Sequence, residues 1–250
     1  NITKTVFPQL LHERTGDLPL RLWIVGCSTG QEVYSLAIDL VEYLSSHAME
    51  IRVQIFATDI SEWALQKARQ GSYPASIVKE IPAHLLNRYF THEGTGYRVK
   101  KVIRDLCVFA KHDITADTPF SRIDLISCRN VLIYLGPPLQ KTVLPTFRFA
   151  LNPGGFLILG TSESLGQSAD LFEIHDEKNR IYRTGKSSDR LRPLAVLPPR
   201  SGDLTMPLTP PVLAPAVSEM QRAADQIILG RFSPAGVLIT DQMEIIQFRG

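Results

Sequence analysis

Three acidic residues stand where a nucleotide-like ligand would need them. Glu32 follows the small-residue stretch Gly26-Cys27-Ser28-Thr29-Gly30, Asp59 closes the run from Val53 to Thr58, and Asp113 follows the run from Leu106 to His112. A carboxylate at the end of a second parallel strand accepts hydrogen bonds from the two hydroxyls of a ribose. One at the end of a third strand is placed to accept from the exocyclic amine of adenine, and one beside a glycine turn offers a partner for a ligand ammonium. Two of them also have an ordinary structural use. Asp59 can cap a helix, and Glu32, in a first helical turn, favours the helix dipole whatever else it does. Their shared position at one edge of a sheet is what points to an adenosyl ligand.

The elements that must position these acids can be read from the pattern of apolar residues. Leu22-Trp23-Ile24-Val25 is a short apolar strand that breaks into the glycine turn. A helix follows, with Val33, Leu36, Ala37, Leu40, Val41 and Leu44 at helical spacing, ending near Ser45 and Ser46. The turn residues Gly26, Ser28, Thr29 and Gly30, with the first N–H groups of that helix, form a pocket for the sugar and polar tail of the ligand. Only Gly26 and Gly30 are present, so the dinucleotide glycine pattern is incomplete, and such a turn also arises for steric reasons alone. Val53 to Thr58 predicts the second strand. Ser61 then caps a helix that carries Ala64, Leu65 and Ala68 to a stop at Gly71. Strand, helix, strand, helix predicts an α/β fold, a Rossmann-like parallel sheet with helices on both faces.

Leu106 to His112 and Ile123 to Cys128 continue the sheet, the second apolar enough for a central strand buried on both faces. A helix from about Pro138 to Leu151, the turn Asn152-Pro153-Gly154-Gly155, a strand Phe156 to Leu159 and a strand pair within Phe172 to Arg183 complete it. Between Pro74 and Asp105 the pattern leaves the sheet for a short helix at Leu85 to Phe90 and a small β insertion at about 91–105. There Tyr97 to Val102 alternate, so Arg98, Lys100 and Lys101 form a basic face, either a solvated hairpin or a dock for an acidic partner segment. Residues 1–19 read as a remnant amino-terminal helix around Val6, Leu10 and Leu11, and residues 20–185 as the main domain. Seven of the 17 prolines fall between Arg190 and Met220, so 186–216 is expected to be an extended linker. Residues 217–250 recover a helical pattern to Leu229 and then two strands, Gly236 to Ile239 and Glu244 to Phe248, as the start of a second α+β module. Beginning at Asn1 and stopping just after a strand-like run, the sequence reads as a fragment.

The net charge of +2 is too small to argue for nucleic acid or an anionic membrane. No apolar run reaches the roughly 18 residues of a membrane-spanning helix. Cys27, Cys107 and Cys128 are odd in number and lack metal-ligand spacing, which predicts neither a disulfide framework nor a metal site and fits a reducing cytoplasm.

An acid at the second strand end suits a nicotinamide dinucleotide as well as S-adenosylmethionine. The late turn Asn152-Pro153-Gly154-Gly155 before an apolar strand resembles that of class I methyltransferases, and the incomplete glycine fingerprint disfavours an oxidoreductase. Cys128-Arg129-Asn130-Val131-Leu132-Ile133-Tyr134-Leu135 makes the resemblance specific. With Gly26 to Ser35, Ala57-Thr58-Asp59-Ile60 and Leu159-Gly160-Thr161-Ser162-Glu163, it resembles the CheR family of chemotaxis receptor methyltransferases over roughly residues 5–183. The family's Asn-x-Thr-x-Phe-Phe-Arg segment is only begun by Asn1-Ile2-Thr3, with Thr5-Val6-Phe7 in place of its end.

The resemblance implies a protein-glutamate O-methyltransferase that uses S-adenosylmethionine, releases S-adenosylhomocysteine and acts on chemoreceptor cytoplasmic domains. It implies cofactor contacts at Glu32, Asp59, Asp113, Ile114, Arg129 and Asn130. It implies docking of the receptor on the small β-subdomain through Arg98, Lys100 and Lys101. The residues themselves make Arg129 a candidate for orienting the incoming carboxylate, against a structural or cofactor contact, and Tyr134 a candidate for lining the methyl-transfer pocket, against a place in the core. The linker and tail resemble hybrid proteins in which a PAS sensor module follows and brings further signalling partners. The alternative is a non-catalytic cofactor-binding relay domain within such a hybrid.

Overall fold

Leu20–Val25 (β1) has side chains that alternate between two apolar layers, and both layers of the molecule are built on that alternation. In the computed structural model, which describes residues 2–12 and 18–185 and the backbone of 236–239 and 245–249, Leu20, Leu22 and Ile24 join one core. Trp23 and Val25 join the other. Val53–Asp59 (β2) splits the same way, with Ile55 and Ala57 against Phe56, as do the later strands Ile123–Cys128 (β7) and Leu151–Leu159 (β8). Strands buried on both sides read as continuous apolar runs, which is why Ile123 to Cys128 shows no polar face.

The first layer is covered by the helices Ile2–Thr5 (α1), Phe7–His12 (α2) and Gln31–Ser46 (α3), and takes in Leu65 of Glu62–Gln70 (α4). Val6, Phe7, Leu10 and Leu11, from the amino-terminal segment, are buried in that core. The second layer is covered by Pro137–Ala150 (α7) through Val143, Leu144, Phe147 and Ala150.

The main sheet has seven strands in the order β6-β2-β1-β7-β8-β10-β9, where Cys107–Lys111 is β6, Glu173–Asp176 is β9 and Ile181–Arg183 is β10. The first five are parallel, and β10 runs antiparallel to both β8 and β9. Strand order reverses between β1 and β7, which opens a crevice at their carboxyl ends.

Three local expectations change. The Asn152 to Gly155 turn lies inside β8, where Leu151 pairs with Ile123 but Phe156 pairs with Leu125, so the extra residues bulge out of the ladder. The small sheet is wider than 91–105, because Ser72–Pro74 (β3) pairs with Gly96–Val99 (β5), whose other edge carries Phe90–Glu93 (β4) after the helix Ala83–Tyr89 (α5). The expected strand to Val102 stops at Val99, and Lys101–Arg104 is a helical turn (α6).

The chain divides into two compact units, Asn1–Ala195 and Val196–Gly250. In the second, Gly236–Ile239 (β11) and Ile245–Arg249 (β12) form the expected antiparallel pair. The linker 186–216 and the helical pattern from Val217 to Leu229 lie outside the described residues.

Candidate functional site

The carboxyl ends of five neighbouring parallel strands deliver the candidate residues to one edge, in the order Asp113 (β6), Asp59 (β2), the glycine turn (β1), Arg129 to Tyr134 (β7) and Gly160 to Glu163 (β8). The turn is held as a fixed shape. Gly26, Ser28 and Gly30 have φ of +65°, +48° and +88°. A Cβ on Gly26 would stand 2.4 Å from Val131 Cγ2, and one on Gly30 would stand 3.0 Å from Ala68 Cβ. The carbonyl of Thr29 accepts from Tyr73 Oη of the small sheet at 3.0 Å, so the insertion braces the turn. Gly30 is the N-cap of α3 and supplies no side-chain cap, which leaves the first turn of α3 facing the crevice.

Asp59 grips this turn. Its Oδ2 accepts from Ser28 N at 2.8 Å and its Oδ1 from Ser61 N at 2.9 Å, while Ser61 caps α4 through Ala64 N. The capping and ligand readings of Asp59 are therefore compatible, since each carboxylate oxygen keeps a lone pair beyond the one its backbone donor uses. Beside it Ile60 and Trp63 leave 68% and 65% of their surface exposed, an apolar rim next to the carboxylate.

Glu32 receives Ser127 Oγ–H at 2.5 Å from the end of β7, and its Oε2 lies 4.0 Å from Arg129 Nη1. With both side chains partly exposed, that ion pair adds little stability. It does bring Arg129 beside Glu32 at the start of α3. Asp113 is turned back on its own loop: Oδ1 accepts from Thr115 N at 2.9 Å and Thr115 Oγ1 at 2.6 Å. Those bonds hold its carboxyl below the usual carboxylate range, so it is ionised at neutral pH. Ile114 packs its side chain on the second core, under the edge.

Asn130 has φ +59°, in the left-handed region that asparagine tolerates, and Tyr134 is 82% exposed, which excludes a core role for it. Both cysteines near this edge, Cys27 and Cys128, are buried. Burial, with the charge of Asp59, pushes the Cys27 thiol up to about 12, and burial raises Cys128 well above the thiol range. Among the described residues no cluster of His, Cys, Asp and Glu could hold a metal, and no helix is long and apolar enough to cross a membrane.

The basic face of the small sheet is not a row of unengaged cations. Arg98 donates to Gln70 O and pairs with Glu93, Lys100 Nζ donates to Asn87 O and Arg88 O at the end of α5, and Lys101 pairs with Asp105. Lys101 is 78% exposed at its side chain, so Lys101→Glu is expected to shift the urea midpoint by no more than about 0.5 kcal/mol equivalent. Lys100→Glu is expected to shift it further, because it withdraws a donor from two helix-end carbonyls.

A model of the family described as CheR methyltransferase, SAM binding domain, matches residues 1–181. A Rhodobacter capsulatus protein described as an uncharacterized 104.1 kDa protein in the hypE 3'region is 32% identical over 99% of this chain and 26% of its own length. The putative methyltransferase Cher3 of Pseudomonas putida is 38% identical over 66% of this chain and 62% of its own. Chemotaxis protein methyltransferase 2 of Vibrio cholerae is 33% identical over 70% of this chain and 61% of its own. The chain thus spans less than two thirds of the length of each of these relatives.

Proposed function

Since the chain belongs to the CheR methyltransferase family, we propose that it is a protein-glutamate O-methyltransferase acting on the cytoplasmic domains of chemoreceptors. The observation that carries this reading is the meeting of the rigid glycine turn, Asp59 and the Glu32–Arg129 pair at the edge where strand order reverses. The matched domain is the family's S-adenosylmethionine-binding domain, and the donor set fits that molecule: carboxylates for hydroxyls and an ammonium, backbone N–H groups for a carboxylate. Bound there, S-adenosylmethionine supplies an electrophilic methyl group, and its passage to a carboxylate oxygen leaves S-adenosylhomocysteine with no proton to remove.

The protein's own task is therefore binding and placement. Asp59 accepts the ribose hydroxyls with its remaining lone pairs, and Gly26, Ser28, Thr29 and Gly30 hold the ligand's polar tail close to backbone. Glu32 faces the ammonium, fixed by Ser127. Asp113 and Ile114 border the base, and Asn130 closes the crevice from β7. The guanidinium of Arg129 orients the incoming carboxylate, a geometry suited to two parallel hydrogen bonds. Tyr134 shields the transfer path from the solvent side.

The second unit, with its β11–β12 hairpin, is the opening of a PAS sensor module in a hybrid protein with further signalling partners. The PAS part of this reading rests on the resemblance of the linker and tail; a relative that matches nearly the whole chain within a much longer protein supports only the longer setting. Docking of an acidic receptor segment falls to the small sheet. Lys101 is the residue to test there, because reversing Arg98 or Lys100 would also disturb the sheet. Lys101→Glu is expected to slow association and weaken its salt dependence; an unchanged on-rate would remove the small sheet from the receptor interface.

The test of the activity is radiolabelled methyl transfer from S-adenosylmethionine to membranes bearing candidate receptors. Base-labile methyl esters are expected. Cofactor binding without ester on any receptor would replace this reading with a relay domain.

A further inference from the structure

Glu163 is 4% exposed, yet it is a carboxylate surrounded by donors. Its Oε1 accepts from Val131 N at 2.8 Å and Leu132 N at 2.7 Å, and its Oε2 from Asn130 N at 2.9 Å and Gly160 N at 2.6 Å. Four backbone N–H groups fill both lone pairs of both oxygens, which is the full capacity of an ionised carboxylate. Three of them are consecutive in the loop after β7, the loop that carries Arg129, Asn130 and Tyr134. Gly160 is part of the same device, since a Cβ there would lie 2.6 Å from Glu163 Oε2 and 3.0 Å from Asn130 N. On the other side of the loop, Val131 presses on Gly26 of the glycine turn. The placement of the β7 loop against the β1 turn is thus set by one buried carboxylate in the segment that follows β8.

We infer that Glu163 is the positioning residue of the site: it touches neither ligand nor acceptor, and it fixes where Arg129 and Asn130 stand against the glycine turn. The inference rests on the methyltransferase reading for what is being positioned, and not for the hydrogen bonds themselves. A buried carboxylate whose hydrogen-bond partners among the described residues are backbone donors, three from the β7 loop and one from Gly160, is costly to assemble for stability alone, because an apolar residue of similar volume would avoid its desolvation. What the carboxylate adds is a loop conformation, with Asn130 in the left-handed region.

The test is Glu163→Gln in the full chain, read by amide hydrogen exchange and by calorimetric binding of S-adenosylhomocysteine. Glutamine keeps the size but turns an NH2 group toward two of the four donors. Exchange at residues 130–132 and 160 is expected to accelerate about tenfold or more while β1 stays protected. Affinity is expected to fall about tenfold or more. A lowered melting temperature with affinity kept within about twofold would overturn the inference and leave Glu163 purely structural; so would unaltered exchange at the loop. If Glu163→Gln does not fold, Gly160→Ala displaces the carboxylate without removing its charge, and the same two readouts decide. Failure of the unaltered chain to bind S-adenosylhomocysteine would instead overturn the methyltransferase reading, and loop exchange would still report whether Glu163 holds the loop.

Discussion

Asp59→Ala is expected to weaken S-adenosylhomocysteine binding by about 2 to 4 kcal/mol, or roughly 30-fold to 1000-fold, from two lost hydrogen bonds to a charged acceptor. The structure adds a second consequence. Ser28 N and Ser61 N lose their acceptor together, so the glycine turn and the start of α4 both loosen. Asp59→Asn separates the two effects in part, because its carbonyl oxygen still satisfies one of those donors while its NH2 faces the other. Calorimetry on the folded variants reads the affinity, and circular dichroism confirms the fold. An alanine variant that folds and binds as tightly as the parent would reduce Asp59 to a brace between the turn and α4.

Gly26→Ala is expected to be strongly destabilising, through two separate costs. At φ +65° an alanine carries a left-handed penalty of about 1 to 2 kcal/mol. Its Cβ at 2.4 Å from Val131 Cγ2 forces a displacement of the β7 loop, for about 1 to 3 kcal/mol more. Gly94→Ala is the control. It has φ +57°, but nothing within 4 Å of its would-be Cβ, so it should show the backbone penalty alone. Urea unfolding of the two variants measures the difference. Equal losses would mean that the Val131 contact yields freely and that the turn and the β7 loop are not rigidly coupled.

The frame of the site was legible because its signals are local. An apolar strand that breaks at Gly26, and a carboxylate ending the run at Asp59, need only a few residues to be recognised. What escaped is what only the tertiary structure supplies. Ser127 is a polar residue inside an apolar run, and nothing in the run says that it faces Glu32. Tyr73 belongs to a strand of three residues, too short for any alternation to show, yet its hydroxyl holds Thr29. Glu163 was visible only as part of a quoted stretch, because a glutamate three residues past a glycine looks like any loop acid until its burial is known. The basic stretch misled for a related reason. Over Tyr97 to Val102, period-two and helical spacing are indistinguishable, and the helical turn at Lys101–Arg104 shows only in its backbone bonds, Ile103 N and Arg104 N donating to Lys100 O.

The two tryptophans of the chain occupy opposite environments, one in strand β1 and one in helix α4. Trp23 is fully buried, its indole N–H donates to Thr58 Oγ1, and its ring meets His112, Phe120 and Phe147 edge-on. Trp63 stands in water in the first turn of α4, just past Asp59. Under ultraviolet excitation the first should emit at short wavelength behind a shield no quencher crosses, and the second at long wavelength within reach of iodide. Ligand arrival at the ribose end of the crevice should therefore dim or blue-shift the Trp63 band alone, whereas loss of the fold should red-shift Trp23. Trp63→Phe would silence the first signal and leave the second as a pure optical thermometer of the sheet.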